Sequence, residues 1–475
     1  MRCQPKQIPA HLFRAYDIRG VVTNELTSDV VHDIGLAIGT LVQEWAAEKK
    51  ELGQQDQQTV IVGRDGRLSG PSLIQALKEG LKNSGVNVID IGLVPTPVLY
   101  FATKFLGSSS GVMLTGSHNP ADYNGLKMVL HGKTIAGEDI QKLYQILQKQ
   151  VCSQGSGHER SQDILMDYEN RILREIKLTR KLKVVVDCGN GVTGILAPEL
   201  IKKLGCEVIG LFTDVDGCFP NHHPDPSKPK NLEDLQKAVL ENKADIGLAF
   251  DGDGDRLGVV SSQGKIIWPD RQVMLYAQDV LARYPGSVIL YDVKCTRHLA
   301  EIINAAGGVP LMCPTGHSLV KKEIVKTGAK LAGEMSGHIF FNDTWYGFDD
   351  AIYTAARLLR ILAADSRSSE EIFASFPESC NTPEINIAVS DQEKFGLIQK
   401  IVKTAELGRF PGAKIITLDG LRIEFPHGFA LIRASNTSPC FVLRFEANQV
   451  LELQEIQSRF RAFLLECAPH VKWDF

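Results

Sequence analysis

The chain has 475 residues, enough for three or four domains at roughly 100 to 200 residues each. Its composition, 44% apolar and 23% charged, is that of an ordinary globular protein and excludes a disordered one. A net charge of −4 argues against a general binder of nucleic acid or anionic membrane but leaves room for a local basic pocket.

The first ten residues lack an apolar signal core, and no later stretch is long and apolar enough to cross a bilayer, so a cytoplasmic protein is expected. The ten cysteines contain no C-x-x-C pair and read as small core residues in a reducing compartment, not as a disulfide frame or a zinc site.

One four-part unit recurs three times along the chain. It begins with a β-rich run that ends in a polar or Gly-rich loop: T-V-I-V-G-R-D-G-R to Arg67, K-V-V-V-D-C-G-N-G to Gly191, and V-I-L-Y-D-V-K-C-T to Thr296. An amphipathic helix follows; in the third unit Leu299, Ile302, Ile303 and Ala306 share one face. A second strand lies near Ile91, Leu211 and Leu311, and a third strand then carries a special loop at Ser117, Asp251 and Glu334 before an extended run turns back. The unit reads as βαβαβ plus an antiparallel strand, giving an α/β protein with three tandem αβα domains and mixed sheets. Loops at the carboxyl ends of parallel strands are where such sheets put ligands, so the three are expected to face one central cleft.

Beyond Phe376 the pattern changes to a helix near Gln392–Ala405, three strands with an exposed polar turn at Arg433–Thr437, and a helix from about Leu451 to Cys467, a smaller α+β domain. The expected domains are 1–160, 161–264, 265–376 and 377–475, with the Ser/Gly-rich stretch Cys152–Arg160 as the first linker.

Chemistry concentrates in the loops. In G-V-M-L-T-G-S-H-N-P-A-D-Y-N-G-L-K, Gly111–Lys127, an apolar strand ends in a sharp turn that presents the Ser117 hydroxyl, with His118 and Lys127 close in sequence to assist it. In Asp251-Gly252-Asp253-Gly254-Asp255, the glycines let three carboxylates converge, an oxygen-only set suited to Mg²⁺. An EF-hand fails here, because its glycine position holds Arg256 and its closing glutamate position holds Ser262. Arg19, Lys127, Arg256, Lys294, His317 and Arg433 supply cations, and metal, serine and cations together imply phosphoryl transfer. G-N-G-V-T-G at Gly189–Gly194 matches a dinucleotide fingerprint, but Asp214 is only loosely placed for the ribose and nothing else suits hydride chemistry.

Five stretches resemble the α-D-phosphohexomutases, in the family's order: F-R-A-Y-D-I-R-G from Phe13, T-G-S-H-N-P from Thr115, D-G-D-G-D-R from Asp251, G-E-M-S-G-H from Gly333 and R-A-S-N-T from Arg433. The form G-E-M-S-G-H is most similar to the bacterial phosphomannomutase/phosphoglucomutase branch; phosphoglucosamine mutases usually differ at Met335 and have alanine at Gly116. The resemblance implies a phosphoserine at Ser117 that interconverts hexose 1- and 6-phosphates through a hexose 1,6-bisphosphate. One Mg²⁺ would be held by Ser117, Asp251, Asp253 and Asp255, with His118 and Arg256 flanking the phosphoryl group. Lys127, with Arg19 or His338, would move the hydroxyl proton. Glu334 and Ser336 would hold sugar hydroxyls, and Arg433, Ser435, Asn436 and Thr437 the distal phosphate. Tyr16, Lys294 and His317 would be further substrate contacts. The partners implied are small sugar phosphates, for a monomer or weak homo-oligomer with a mobile fourth domain. The alternatives are a phosphoglucosamine mutase, a silent sugar-phosphate binder and a phosphatase.

Overall fold

The computed structural model describes residues 8–51, 58–436 and 438–475, so Thr437 lies outside the described residues. The chain forms two compact units, Met1–Pro269 with Ser336–Ile372, and Asp270–Met335 with Phe373–Phe475. Among the described residues no helix is long and apolar enough to cross a membrane, and all nine cysteines are free thiols.

The first unit holds two sheets. The first is built from β1 (Ile18–Val21), β2 (Thr59–Arg64), β3 (Asn87–Leu93), β4 (Gly111–Leu114), β5 (Tyr123–Leu130), β6 (Lys133–Thr134) and β7 (Glu159–Ser161), in the order β1-β5-β4-β2-β3-β7 with β6 on β5. The centre is parallel and β5 runs back against β4. Val60, Ile61 and Val62 are all fully buried, the continuous apolar run of a strand covered on both faces. The second sheet comprises β8 (Lys183–Asp187), β9 (Glu207–Leu211), β10 (Ile246–Phe250), β11 (Leu257–Ser261) and β12 (Ile266–Ile267), in the order β12-β11-β10-β8-β9. Its β11-β10-β8-β9 repeats the β5-β4-β2-β3 arrangement, so Ser117 and Asp251 leave equivalent strands.

The third repeat is divided between the units. Its parallel strands β13 (Val288–Asp292), β14 (Val309–Cys313) and β15 (Leu331–Gly333), with β13 in the middle, lie in the second unit, and its return strand β16 (Ile339–Phe341) lies in the first. The C-terminal sheet contains β17 (Cys380–Asn381), β18 (Ile385–Ala388), β19 (Lys414–Ile416), β20 (Leu421–Phe425), β21 (Gly428–Ala434) and β22 (Cys440–Ala447). It is antiparallel throughout, and the helices Lys394–Glu406 and Val450–Cys467 pack on it. Within this unit, buried Arg422 donates to the carbonyls of Val293 and Cys295 (both 2.7 Å), and buried Arg444 to that of Lys294 and to Asp270 Oδ2 (3.3 Å).

The stretch Cys152–Arg160, expected as the first linker, is hydrogen-bonded to the first repeat: Gly157 N donates to Lys82 O (2.9 Å), and β7 pairs parallel with β3. A Cβ at Gly157 would lie 1.8 Å from Val86 O, so its missing side chain permits contact here and does not signal looseness. The expected exposed turn at Arg433–Thr437 is corrected at its start: Arg433 lies within β21 at 5% exposure and Ser435 just follows the strand at 6%, while Asn436 is half-buried. The polar composition that reads as a solvated turn is buried by hydrogen bonding.

Asp350 caps the helix Ala351–Ala364 through Tyr353 N (2.8 Å) and accepts from Tyr168 Oη (2.8 Å) and Trp345 Nε1 (3.1 Å). Burial outweighs these donors and pushes its carboxyl up to about 7. A raised carboxyl contributes stability that is fully present below pH 3.8, its ordinary value, and is lost as pH rises through about 7. The apparent Tm of the wild type should therefore fall relative to that of Asp350→Asn between pH 4 and 8, by no more than about 4 kcal/mol of equivalent stability. Parallel Tm curves for the two proteins over that range would refute the assignment.

Candidate active site

Ser117 sits just beyond β4 at φ +49°, a left-handed conformation uncommon for a residue with a side chain, and is 1% exposed. Its Oγ lies 3.0 Å from Asp251 Oδ2 and 3.2 Å from His118 Nδ1. Asp251 accepts the hydroxyl proton in this pairing. Burial first, and then the charges of Arg256, Arg19 and Lys127, keep His118 well below the usual imidazole range, so its ring is neutral.

The loop from β10 to β11 places Asp251, Asp253 and Asp255 at 0% exposure, with one oxygen from each within 4.8 Å of the others. Asp251 Oδ1 folds the loop by accepting from the amides of Gly254, Asp255 and Arg256 (2.9, 3.0 and 3.2 Å). Its carboxyl is held well above the ordinary range, first by burial and then by Asp255 and Asp253. Lys127 Nζ reaches Asp253 Oδ2 (2.7 Å) and Asp255 Oδ2 (2.5 Å). Burial disfavours the ammonium, but the surrounding carboxylates outweigh that and raise its pKa. Asp253 Oδ1 and Asp255 Oδ1 are buried and accept no hydrogen bond. Buried carboxylate oxygens without donors, in an oxygen-only set, fit a hard divalent cation.

The two glycines of this loop serve different ends: Gly254 takes the left-handed φ of +80°, and Gly252 permits backbone contact. A Cβ at Gly252 would stand 2.4 Å from Ser117 O, so the serine and acidic loops touch main chain to main chain. Val192 N donates to Gly252 O (3.2 Å) from a short 3₁₀ turn, Val192–Ile195. G-N-G-V-T-G therefore supports the acidic loop and opens no long helix onto a dinucleotide. The Asp214 carbonyl is tied to Asn190 Nδ2 (2.8 Å).

Arg19 donates to Gly116 O (3.2 Å), to Asn119 Oδ1 and to Asp17 Oδ2 (2.5 Å). Arg256 Nε donates to His338 Nε2 (3.0 Å), which fixes the ring's proton on Nδ1, toward Asp349 Oδ2 (3.1 Å) and Asp255 Oδ1 (3.6 Å). Tyr16 is half-buried in the bend before β1, and Ser336 is half-buried two residues before His338.

The remaining candidates belong to the second unit. Lys294, 5% exposed, pairs with Glu384 (2.6 Å) and Asp292 (3.8 Å); Glu384 leads the causes that hold its pKa up against burial. Glu334, 1% exposed, accepts from Gly316 N (2.6 Å) just before His317 opens the helix His317–Thr327. Arg433 Nε donates to Asp419 Oδ2 (2.8 Å), which also accepts from Thr315 N (3.0 Å). Ser435 Oγ accepts from Ser438 N (3.1 Å), and Asn436 is half-buried beside it.

The sequence reading misses Asp65, Arg67, Asp349, Glu384 and Asp419. Each sits in a stretch that looks like an ordinary turn or helix start. Asp65 and Arg67 carry the one usable signal, two charged residues at the end of the first β run.

Four family models match the chain in order: phosphoglucomutase/phosphomannomutase alpha/beta/alpha domain I at residues 10–152, domain II at 166–264, domain III at 268–380 and the C-terminal domain at 384–463. A phosphomannomutase/phosphoglucomutase of Pseudomonas putida is 54% identical over 471 residues, covering 99% of each chain. A phosphoglucomutase of Neisseria meningitidis is 51% identical over 469 residues, covering 98% of this chain and 99% of that one. The crystal structure of a phosphoglucomutase/phosphomannomutase family protein from Burkholderia thailandensis superposes with a TM-score of 0.92 at 50% identity, over 99% of this chain and all of that one. With its motifs in order and every domain matched, the chain belongs to the phosphoglucomutase/phosphomannomutase family, in the bacterial branch of the α-D-phosphohexomutases.

Proposed function

We propose that the protein interconverts hexose 1-phosphate and hexose 6-phosphate, with mannose or glucose as the sugar, using Ser117 as a phosphoryl carrier. The observation that carries this reading is the Ser117 hydroxyl 3.0 Å from Asp251, beside two buried carboxylate oxygens that have no donor. A nucleophile next to an oxygen-only set of hard-cation ligands suits phosphoryl transfer.

In this reading Asp251, Asp253 and Asp255, with an oxygen of the Ser117 phosphoryl group, would hold one Mg²⁺. Such an ion withdraws charge from phosphoryl oxygens. The sugar hydroxyl attacks phosphorus, the Ser117 Oγ–P bond breaks, and the hydroxyl proton passes to a base. The 1,6-bisphosphate turns over, Ser117 Oγ attacks the other phosphorus, and the second sugar oxygen leaves with a proton.

The candidate proton carriers are not equivalent. Lys127 is held as an ammonium by two aspartates and suits donation. His338 presents Nε2 as its lone-pair nitrogen and suits acceptance once Arg256 lets go. Arg19, fixed by Asp17, and Arg256 with neutral His118 flank the phosphoryl group. Glu334 and Ser336 hold the sugar hydroxyls. Arg433, Ser435, Asn436 and Thr437 clamp the distal phosphate, and Lys294, His317 and Tyr16 are further substrate contacts, on domains 1–160, 161–264, 265–376 and 377–475.

A coupled assay on mannose 1-phosphate, glucose 1-phosphate and glucosamine 1-phosphate separates the substrates, and turnover of glucosamine 1-phosphate alone would replace this reading. Ser117→Ala should lower turnover by roughly 10³-fold or more while sugar-phosphate binding stays measurable. Retained turnover in that variant would remove Ser117 from the reaction. Chelation with EDTA should abolish activity and added Mg²⁺ restore it, whereas full activity in EDTA refutes the metal assignment. Arg433→Ala should raise KM about thirtyfold, the equivalent of about 2 kcal/mol of lost charge-assisted bonding, with a smaller change in kcat. A fall in kcat at constant KM would show that Arg433 does not hold the non-reacting phosphate.

A further inference from the structure

The G-R-D-G-R segment at the end of β2 has no part in the reaction above, yet it is tied by several hydrogen bonds to the loop that carries the nucleophile. Arg67 is 0% exposed, and each of its guanidinium N–H groups has an acceptor. Nε donates to Asp65 Oδ2 (3.2 Å), Nη1 to the carbonyls of Pro120 (2.5 Å) and Tyr123 (2.8 Å), and Nη2 to those of Ser117 (2.8 Å) and Asn119 (2.6 Å). Asp65 completes the support from the amide side. It accepts from Thr115 Oγ1 (2.7 Å) and Gly116 N (3.2 Å), and Thr115 Oγ1 in turn accepts from Ser117 N (2.8 Å).

Ser117 is thus gripped through its own amide and its own carbonyl while it holds φ at +49°. Such a conformation persists only where the surroundings over-determine it. A Cβ on Gly116 would lie 2.3 Å from Arg67 Cζ, so the guanidinium packs directly beneath the residue before the nucleophile. With its donors spent on main-chain carbonyls and Asp65, Arg67 has none left for a phosphoryl oxygen.

We infer that Arg67, with Asp65, is the positioning residue that locks the Ser117 backbone in its left-handed conformation and so keeps Oγ beside the acidic cluster. The inference rests on Ser117 being the phosphoryl carrier. It requires that losing Arg67 slow phosphate transfer without weakening substrate binding.

Arg67→Lys keeps a positive charge beside Asp65 but has a single nitrogen that cannot span the four carbonyls; Asp65→Asn loosens the same support without removing the guanidinium. The wild type and both variants are compared by apparent Tm, by kcat and KM for glucose 1-phosphate, and by single-turnover transfer from glucose 1,6-bisphosphate to Ser117, read as intact mass. In Arg67→Lys the transfer should slow about 10²-fold, kcat should fall in step, and KM should stay within about twofold. Asp65→Asn should show the same pattern, less deeply. Transfer at the wild-type rate in a folded Arg67→Lys overturns the inference, as does a raised KM at constant kcat. If Arg67→Lys does not fold, Asp65→Asn decides by the same readouts; if neither folds, Arg67 is a determinant of the fold only and the inference is overturned. A wild type that takes no phosphate on Ser117 instead overturns the carrier reading on which the inference stands, a result distinct from normal transfer in the variants.

Discussion

Lys127 Nζ lies 2.7 Å from Asp253 Oδ2 and 2.5 Å from Asp255 Oδ2, and its side chain is only 4% exposed. Three carboxylates and one ammonium share this buried volume, an arrangement that water would ordinarily have to solvate. Removing one partner of a buried ion pair typically costs about 3 to 5 kcal/mol, because it strands the other charge. The rest of the first unit depends on this knot. Lys127 comes from β5 and the aspartates from the β10–β11 loop, so their pairing fastens the first sheet to the second at the level of Ser117.

The knot is also incomplete, and that incompleteness is its chemical interest. One oxygen of Asp251 is spent on the loop's own amides, and Lys127 satisfies one oxygen each of Asp253 and Asp255. The remaining oxygens of Asp253 and Asp255 stay without donors, while Asp251 is pushed toward protonation by burial and by its acidic neighbours. A folded protein tolerates such groups where a ligand answers them.

Within each unit, long functional side chains have one edge committed to a carboxylate. In the first unit Asp17 takes one end of Arg19 and Asp349 faces Nδ1 of His338; the second unit, taken by itself, repeats the device, with Asp419 on Nε of Arg433 and Glu384 on Lys294. A long side chain held along one edge loses less entropy when its other edge binds an anion. The same economy explains why Arg433 and Ser435, both buried, look by composition like part of a solvated turn.

The sequence by itself determined the α/β class, the threefold repeat, the serine turn and the D-G-D-G-D loop, since each is written in neighbouring residues: apolar runs of strand length, turn chemistry, glycines alternating with acids. It also revealed which residues carry the family's motifs. Only the tertiary structure decided how their charges are paired. Lys127 meets Asp253 and Asp255 across 126 and 128 residues, Arg67 reaches the Ser117 carbonyl across 50, and Asp419 meets Thr315 across 104. It likewise decided that Gly157 packs where a linker was expected, and that G-N-G-V-T-G braces the acidic loop. A hydrogen bond between distant residues leaves no periodicity behind. The close approach that a glycine permits shows in the chain only as a glycine, which a loose turn would contain as well.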